Sequence, residues 1–173
     1  FGGSAGTERA LGTLQSGTLV PIIGAKFTNN TGATITSLDV AYTGEMWRAG
    51  VTNRNAADQL DFQLSTNATG VADGVATWTD YNTLDYASSN INVTSGALVG
   101  NNTGNKTAIS ATISSLSIAN GASFWIRWTD FNISGADDGL AVDDFSITPK
   151  GGVVDTAPTV SSTTPANGAP NVA

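Results

Sequence analysis

Hydrophobic residues in this chain recur at every second position, in short runs closed by Gly, Asn and Ser. No stretch sustains the i, i+3, i+4, i+7 spacing of a helix face, so the period itself demands strands. In Ile35–Met46, Leu38, Val40 and Tyr42 face one way while Asp39, Ala41 and Thr43 face the other. The turn Asn29-Asn30-Thr31-Gly32 precedes this strand, and Pro21–Thr28 reads as the strand before it. Leu60, Phe62 and Leu64 alternate with polar residues, as do Phe124, Ile126 and Trp128 with Trp125, Arg127 and Thr129. Further strands are predicted at Val75–Tyr81, Asn90–Val99, Thr107–Ile113 and Leu140–Thr148. Many short strands separated by turn residues predict an all-β fold: an antiparallel two-sheet β-sandwich, jelly-roll-like, over residues 1–150.

The last strand breaks its own alternation. Leu140 and Val142 share one parity, Phe145 and Ile147 the other. Both pairs can face one core only if an extra residue is inserted between them, which places a β-bulge at Asp143 or Asp144. Bulges re-aim side chains beside functional sites, so two Asp there direct attention to a cation. The plainer alternative pairs one of them with Arg127.

Polarity comes from 24 Thr, 16 Ser, 15 Asn and 20 Gly rather than from charge, since only 12% of the 173 residues are charged. Cys and His are absent. That excludes disulfides, thiol catalysis, Cys or His zinc sites and Ser-His-Asp triads. With two Glu, Glu8 and Glu45, acid–base chemistry would rest on twelve Asp, and no spacing marks one as acid and another as nucleophile. No phosphate-binding loop or nucleophile elbow is present. The expectation is a chain that is not an enzyme. Seven basic against fourteen acidic residues, net charge −7, oppose binding to nucleic acid or insertion at an anionic membrane. No run reaches the roughly 18 apolar residues of a membrane-spanning helix. The start at Phe1 reads as a mature or excised piece of a longer polypeptide.

The densest polar cluster is Thr129–Gly139, between two predicted strands. Asp130, Asn132, Ser134 and Gly135 stand at positions 1, 3, 5 and 6 of a calcium loop, and Asp138 at position 9. Ca²⁺ requires about six to eight oxygens, and this spacing lets a short loop wrap one ion. Position 12 is Ala141, so a bidentate carboxylate must come from Asp143 or Asp144 at the bulge, or from Glu45. The same loop can instead be a solvated hairpin of Asx turns. Beside Glu45, Trp47 reads as core, and Glu45 and Arg48 can pair. Trp78 and Trp125 have the parity opposite to their strands' core residues. With Tyr81 and Tyr86 they are the candidates for exposure, hence for stacking on sugar rings.

Three segments carry a resemblance: RALGTLQSGT (Arg9–Thr18), FTNNTGATITSLDVAYTGEMWR (Phe27–Arg48) and FWIRWTDFNISGADDGLAVDDFSI (Phe124–Ile147). Together they resemble a non-catalytic β-sandwich module of large bacterial extracellular proteins. Such modules often sit beside Ig-like repeats and, in some parents, beside a nuclease or phosphoesterase domain. The ending LAVDDFSI is similar to the last strand of calcium-binding jelly-roll carbohydrate modules. The resemblance implies a secreted, calcium-stabilised sandwich that lacks its first strand, because such modules begin with further residues before the FGG segment. Residues 151–173, with Asp155, Pro158, Val160, Pro165, Gly168 and Ala169, resemble the linker and first strand of a surface-layer Ig-like domain. The expected function is attachment to glycan or a cell surface, with Ca²⁺ as cofactor. The alternative is a structural filament or surface-layer subunit that hands residues 153–173 to an identical neighbour by β-strand addition. An accessory domain of a secreted hydrolase ranks third.

Overall fold

The computed structural model of the chain describes residues 1–3 and 6–151. Ten strands follow in order: β1 (Leu11–Thr13), β2 (Ile22–Thr28), β3 (Ser37–Ala49), β4 (Gln59–Ser65), β5 (Thr79–Asp80), β6 (Tyr86–Ala87), β7 (Gly96–Ala97), β8 (Lys106–Ile113), β9 (Ser123–Asp130) and β10 (Gly139–Lys150). They form two antiparallel sheets. One runs β1-β10-β3, with β7 and β8 both pairing the far edge of β3; the other runs β2-β9-β4, with β5 and β6 both on β4. The predicted two-sheet sandwich is the observed fold. The linker and Ig-like stub expected over 151–173 lie, past Gly151, outside the described residues.

The core lies between the sheets, and the period-two residues fill it. Leu38, Val40, Tyr42 and Met46 of β3 meet Leu60, Phe62 and Leu64 of β4 and Phe124, Ile126 and Trp128 of β9, all almost fully buried. Trp128 sits edge-on to Tyr42, Phe62 and Phe145 with ring centroids 5.2–5.6 Å apart. Edge-to-face packing of this kind adds stability beyond area burial. Tyr86, expected at the surface, is instead fully buried in this core. Its ring lies where a side chain on Gly44 would have to go, so β3 must carry glycine there.

The bulge predicted in the last strand is present. Asp143 pairs Thr43 and Ser146 pairs Ala41, so β10 advances three residues while β3 advances two. Asp144 absorbs the difference at φ 49°, a left-handed conformation that Asp tolerates better than most residues. Leu140 and Val142 are buried before it, and Phe145 and Ile147 pack on the core after it. Neither Asp reaches Arg127, whose Nε donates to Gln63 at 2.8 Å. A second irregularity lies at the other end of the pairing: Gly139 pairs Arg48 but Leu140 pairs Met46, which leaves Trp47 as an extra residue on β3.

Two predicted strands shrink for one reason. Within Val75–Tyr81 only Thr79–Asp80 pairs, because the Asp73 carboxylate takes the backbone N–H groups of Thr69, Val75 and Ala76. Within Asn90–Val99 only Gly96–Ala97 pairs; the Asn90 side chain accepts from the Asn92 N–H in an Asx turn. Side chains that bond the local backbone compete with the ladder.

Candidate functional site

The loop 131–138 closes around an arginine. Arg54, itself 6% exposed, donates to the carbonyls of Ser134 (3.1 Å) and Ala136 and to Asp138 Oδ1 (3.3 Å). A positive charge thus stands where the sequence spacing suggests a metal ion. Asp138 is fully buried and saturated: Oδ1 also accepts from the Gly50 N–H and Oδ2 from the Ser88 hydroxyl, at 2.8 and 2.7 Å. Its own N–H donates to Asp58 Oδ2 at 2.8 Å. Gly50 lies against the carbonyls of Ala136 and Asp137 with no room for a Cβ, and this close approach is what a glycine permits. The network ties three loops together at one end of the sandwich.

The other loop positions scatter. Asn132 and Ser134 have exposed side chains. Asp130 is fully buried and bonds to β1: Oδ2 accepts from the Thr13 hydroxyl at 2.7 Å, and Oδ1 has no partner among the described residues. Burial first, then the nearby Asp58 and Asp137 charges, outweigh the Thr13 bond and push Asp130 up to about 6. Arg48 does not pair with Glu45; its guanidinium donates to the Asp137 carbonyl at 3.0 Å.

Glu45 and Asp143, also expected near a metal, do come together, but elsewhere. Both project from the outer face of the β1-β10-β3 sheet, on diagonal positions of the β3–β10 pair. The N-terminal segment crosses over this face. Phe1 and Ala10 exchange hydrogen bonds, Phe1 stacks on Trp47 at 6.5 Å, and Ala10, Trp47 and Ala141 form a small second core. This segment delivers Glu8. Carboxylate oxygens of Glu8, Glu45 and Asp143 lie within 4.8 Å of one another. Glu45 is 1% exposed; its Oε2 accepts from the Trp47 indole at 2.8 Å and its Oε1 has no partner. Burial raises its pKa, and the charges of Asp143 and Glu8 raise it further. At this separation each pair of like charges repels by about 3–4 kcal/mol at an effective dielectric constant of about 20.

A third group, Asp61, Asp80 and Asp85, lies within the same limit at the β4–β5 edge. There, burial foremost and then Asp80 and Asp85 push Asp61 up to about 6, while Asp85 is anchored by the Phe62 N–H and the Gln59 amide.

Of the aromatic candidates, Trp78 and Trp125 are half-buried rather than free. Arg127 lies 3.8 Å over the Trp78 ring, and the Trp78 indole donates to the Asp73 carbonyl. That face is already stacked. Tyr81 leans on Phe62 and lines a cleft of about 620 Å³. Around it stand the hydroxyls of Thr66, Thr77, Thr79, Ser114, Ser115 and Ser117, with the Asn67 amide.

Sequence reading missed Arg54 and Glu8. Each was visible as a rarity, one of four Arg and one of two Glu. No family model, curated protein or solved structure matches the chain.

Proposed function

We propose that this chain is a non-catalytic, secreted bacterial attachment module that binds glycan or another cell-surface polymer and is stabilised by calcium. The observation that supports binding is the Tyr81 cleft. It offers six hydroxyl side chains, one amide and one aromatic edge, and no charged group. Sugar hydroxyls need neutral partners that both donate and accept, and sugar C–H faces need a ring to rest on. The test is a glycan array followed by calorimetry with the strongest polysaccharide. Ser117→Trp fills the cleft from an exposed position and is expected to abolish binding with the melting temperature unchanged. Array silence, or full binding by Ser117→Trp, counts against the reading.

A second reading, assembly by β-strand addition, is favoured by the open side of the sandwich. Among the described residues, β1 pairs Leu140–Val142 alone, so β10 from Asp143 onward has a strand partner on one side, β3. Between that edge and β2 run two clefts of about 260 and 200 Å³, floored by Phe27, Phe124, Trp128, Phe145 and Ile147. An exposed edge above an apolar groove is a template for another strand. Residues 153–173 of an identical subunit are the occupant this reading names, and a head-to-tail exchange would propagate as a fibre. Sedimentation that gives a monomer at all concentrations, with or without residues 153–173, excludes it.

A further inference from the structure

The geometry points to a calcium site made by Glu8, Glu45 and Asp143 on the outer face of the β1-β10-β3 sheet, beneath the N-terminal segment. It rests on the calcium part of the proposed function and places the ion away from the 131–138 loop, where Arg54 already supplies the positive charge.

Two independent observations carry it. The first is the gathering of three carboxylates within 4.8 Å from three separate parts of the chain. The second is Glu45 itself. A carboxylate 1% exposed, with one oxygen left without a hydrogen bond, is costly unless something pairs with it. Among the described residues no cation bonds to it: Lys106, across the β3–β8 pair, lowers its pKa by charge, but less than burial, Asp143 and Glu8 raise it. The ion pairs among the described residues are Arg54–Asp138 and Lys150–Asp39, and all seven Lys and Arg lie within those residues. A cation from solution supplies the missing charge. All three ligands are hard oxygens, with no nitrogen or sulfur donor. They come from a strand, a bulge and a crossing segment rather than one rigid loop, which suits the adaptable coordination of Ca²⁺ better than the strict octahedron of Mg²⁺. The local fold is arranged for this cluster. The extra residue at Trp47 keeps the indole against Glu45 Oε2, which orients the carboxylate, while the bulge at Asp144 begins immediately after Asp143.

Calorimetric titration of the EDTA-treated, dialysed full chain with CaCl₂ is the test. Wild type is expected to bind one ion. Glu8→Gln, Glu45→Gln and Asp143→Asn are each expected to weaken it at least about tenfold, since affinity follows the number of charged ligands. Asp61→Asn, in the other acidic trio, is expected to bind as wild type. Should Glu45→Gln fail to fold, Glu8→Gln decides, because Glu8 sits at the rim of the cluster. Terbium luminescence adds a positional readout: emission sensitised by the Trp47 indole beside Glu45 is expected in wild type and is expected to fall in Glu8→Gln and Asp143→Asn. Calcium binding by wild type that survives Glu8→Gln and Asp143→Asn overturns this site and leaves the calcium reading standing. No heat with calcium overturns both.

Discussion

Asp138 and Glu45 are equally buried, yet one is saturated and the other is not. Asp138 accepts from an arginine, a backbone N–H and a serine hydroxyl; Glu45 accepts from one indole and faces two more carboxylates. The first cluster owns its cation as a side chain and is complete within the fold. The second concentrates negative charge that Lys106, across the β3–β8 pair, offsets only in part. A buried carboxylate that is paired is complete within the fold; Glu45, with an unpartnered oxygen and two further carboxylates within 4.8 Å, has room for a cation from solution.

The largest effect is expected at Arg54. Arg54→Ala leaves Asp138 buried without its partner and is expected to cost about 3–5 kcal/mol in urea unfolding. A loss near zero would mean that the loop never needed its arginine. Calcium acts on the other cluster. Added at about a hundred times its dissociation constant, it is expected to stabilise wild type by about 2.7 kcal/mol, with no such gain in Glu45→Gln.

Protons offer a gentler probe. Asp130 is held near 6 in the folded state against an ordinary 3.8, so the native protein keeps a proton that the unfolded chain releases. Its contribution is present below pH about 4 and is lost as pH rises through about 6. Asp58, Asp61, Asp85 and Glu45 are displaced upward too and slope the same way. Stability is therefore expected to fall across that window, and Asp130→Asn to flatten the fall. An unchanged slope would remove Asp130 from the account. Smallest is Trp78→Phe, which forfeits the indole bond to the Asp73 carbonyl for about 1 kcal/mol while Arg127 keeps a ring to stack on.

The strands were legible because their signal is local. Leu38, Val40 and Tyr42 declare an inward face whatever they pack against, and the parity switch between Val142 and Phe145 placed the bulge within one residue. Strand ends were less legible where Asp73 and Asn90 divert backbone donors into turns. The acidic clusters were not legible from spacing at all. A calcium loop is read along the chain, whereas Glu45 and Asp143 meet across strands 98 residues apart in sequence and Glu8 arrives over the top of the sheet. Likewise, nothing in the spacing of Asp130, Asn132, Ser134 and Asp138 reveals that Arg54, far upstream, bonds to the Ser134 and Ala136 carbonyls and to Asp138.

Under the proposal, the cation sits beneath the N-terminal segment and not in the 131–138 loop. Anomalous diffraction from a lanthanide-soaked crystal tests it directly. One peak is expected among Glu8, Glu45 and Asp143, with the Arg54–Asp138 pair intact. A peak in the 131–138 loop, with Arg54 displaced from Asp138, would contradict it.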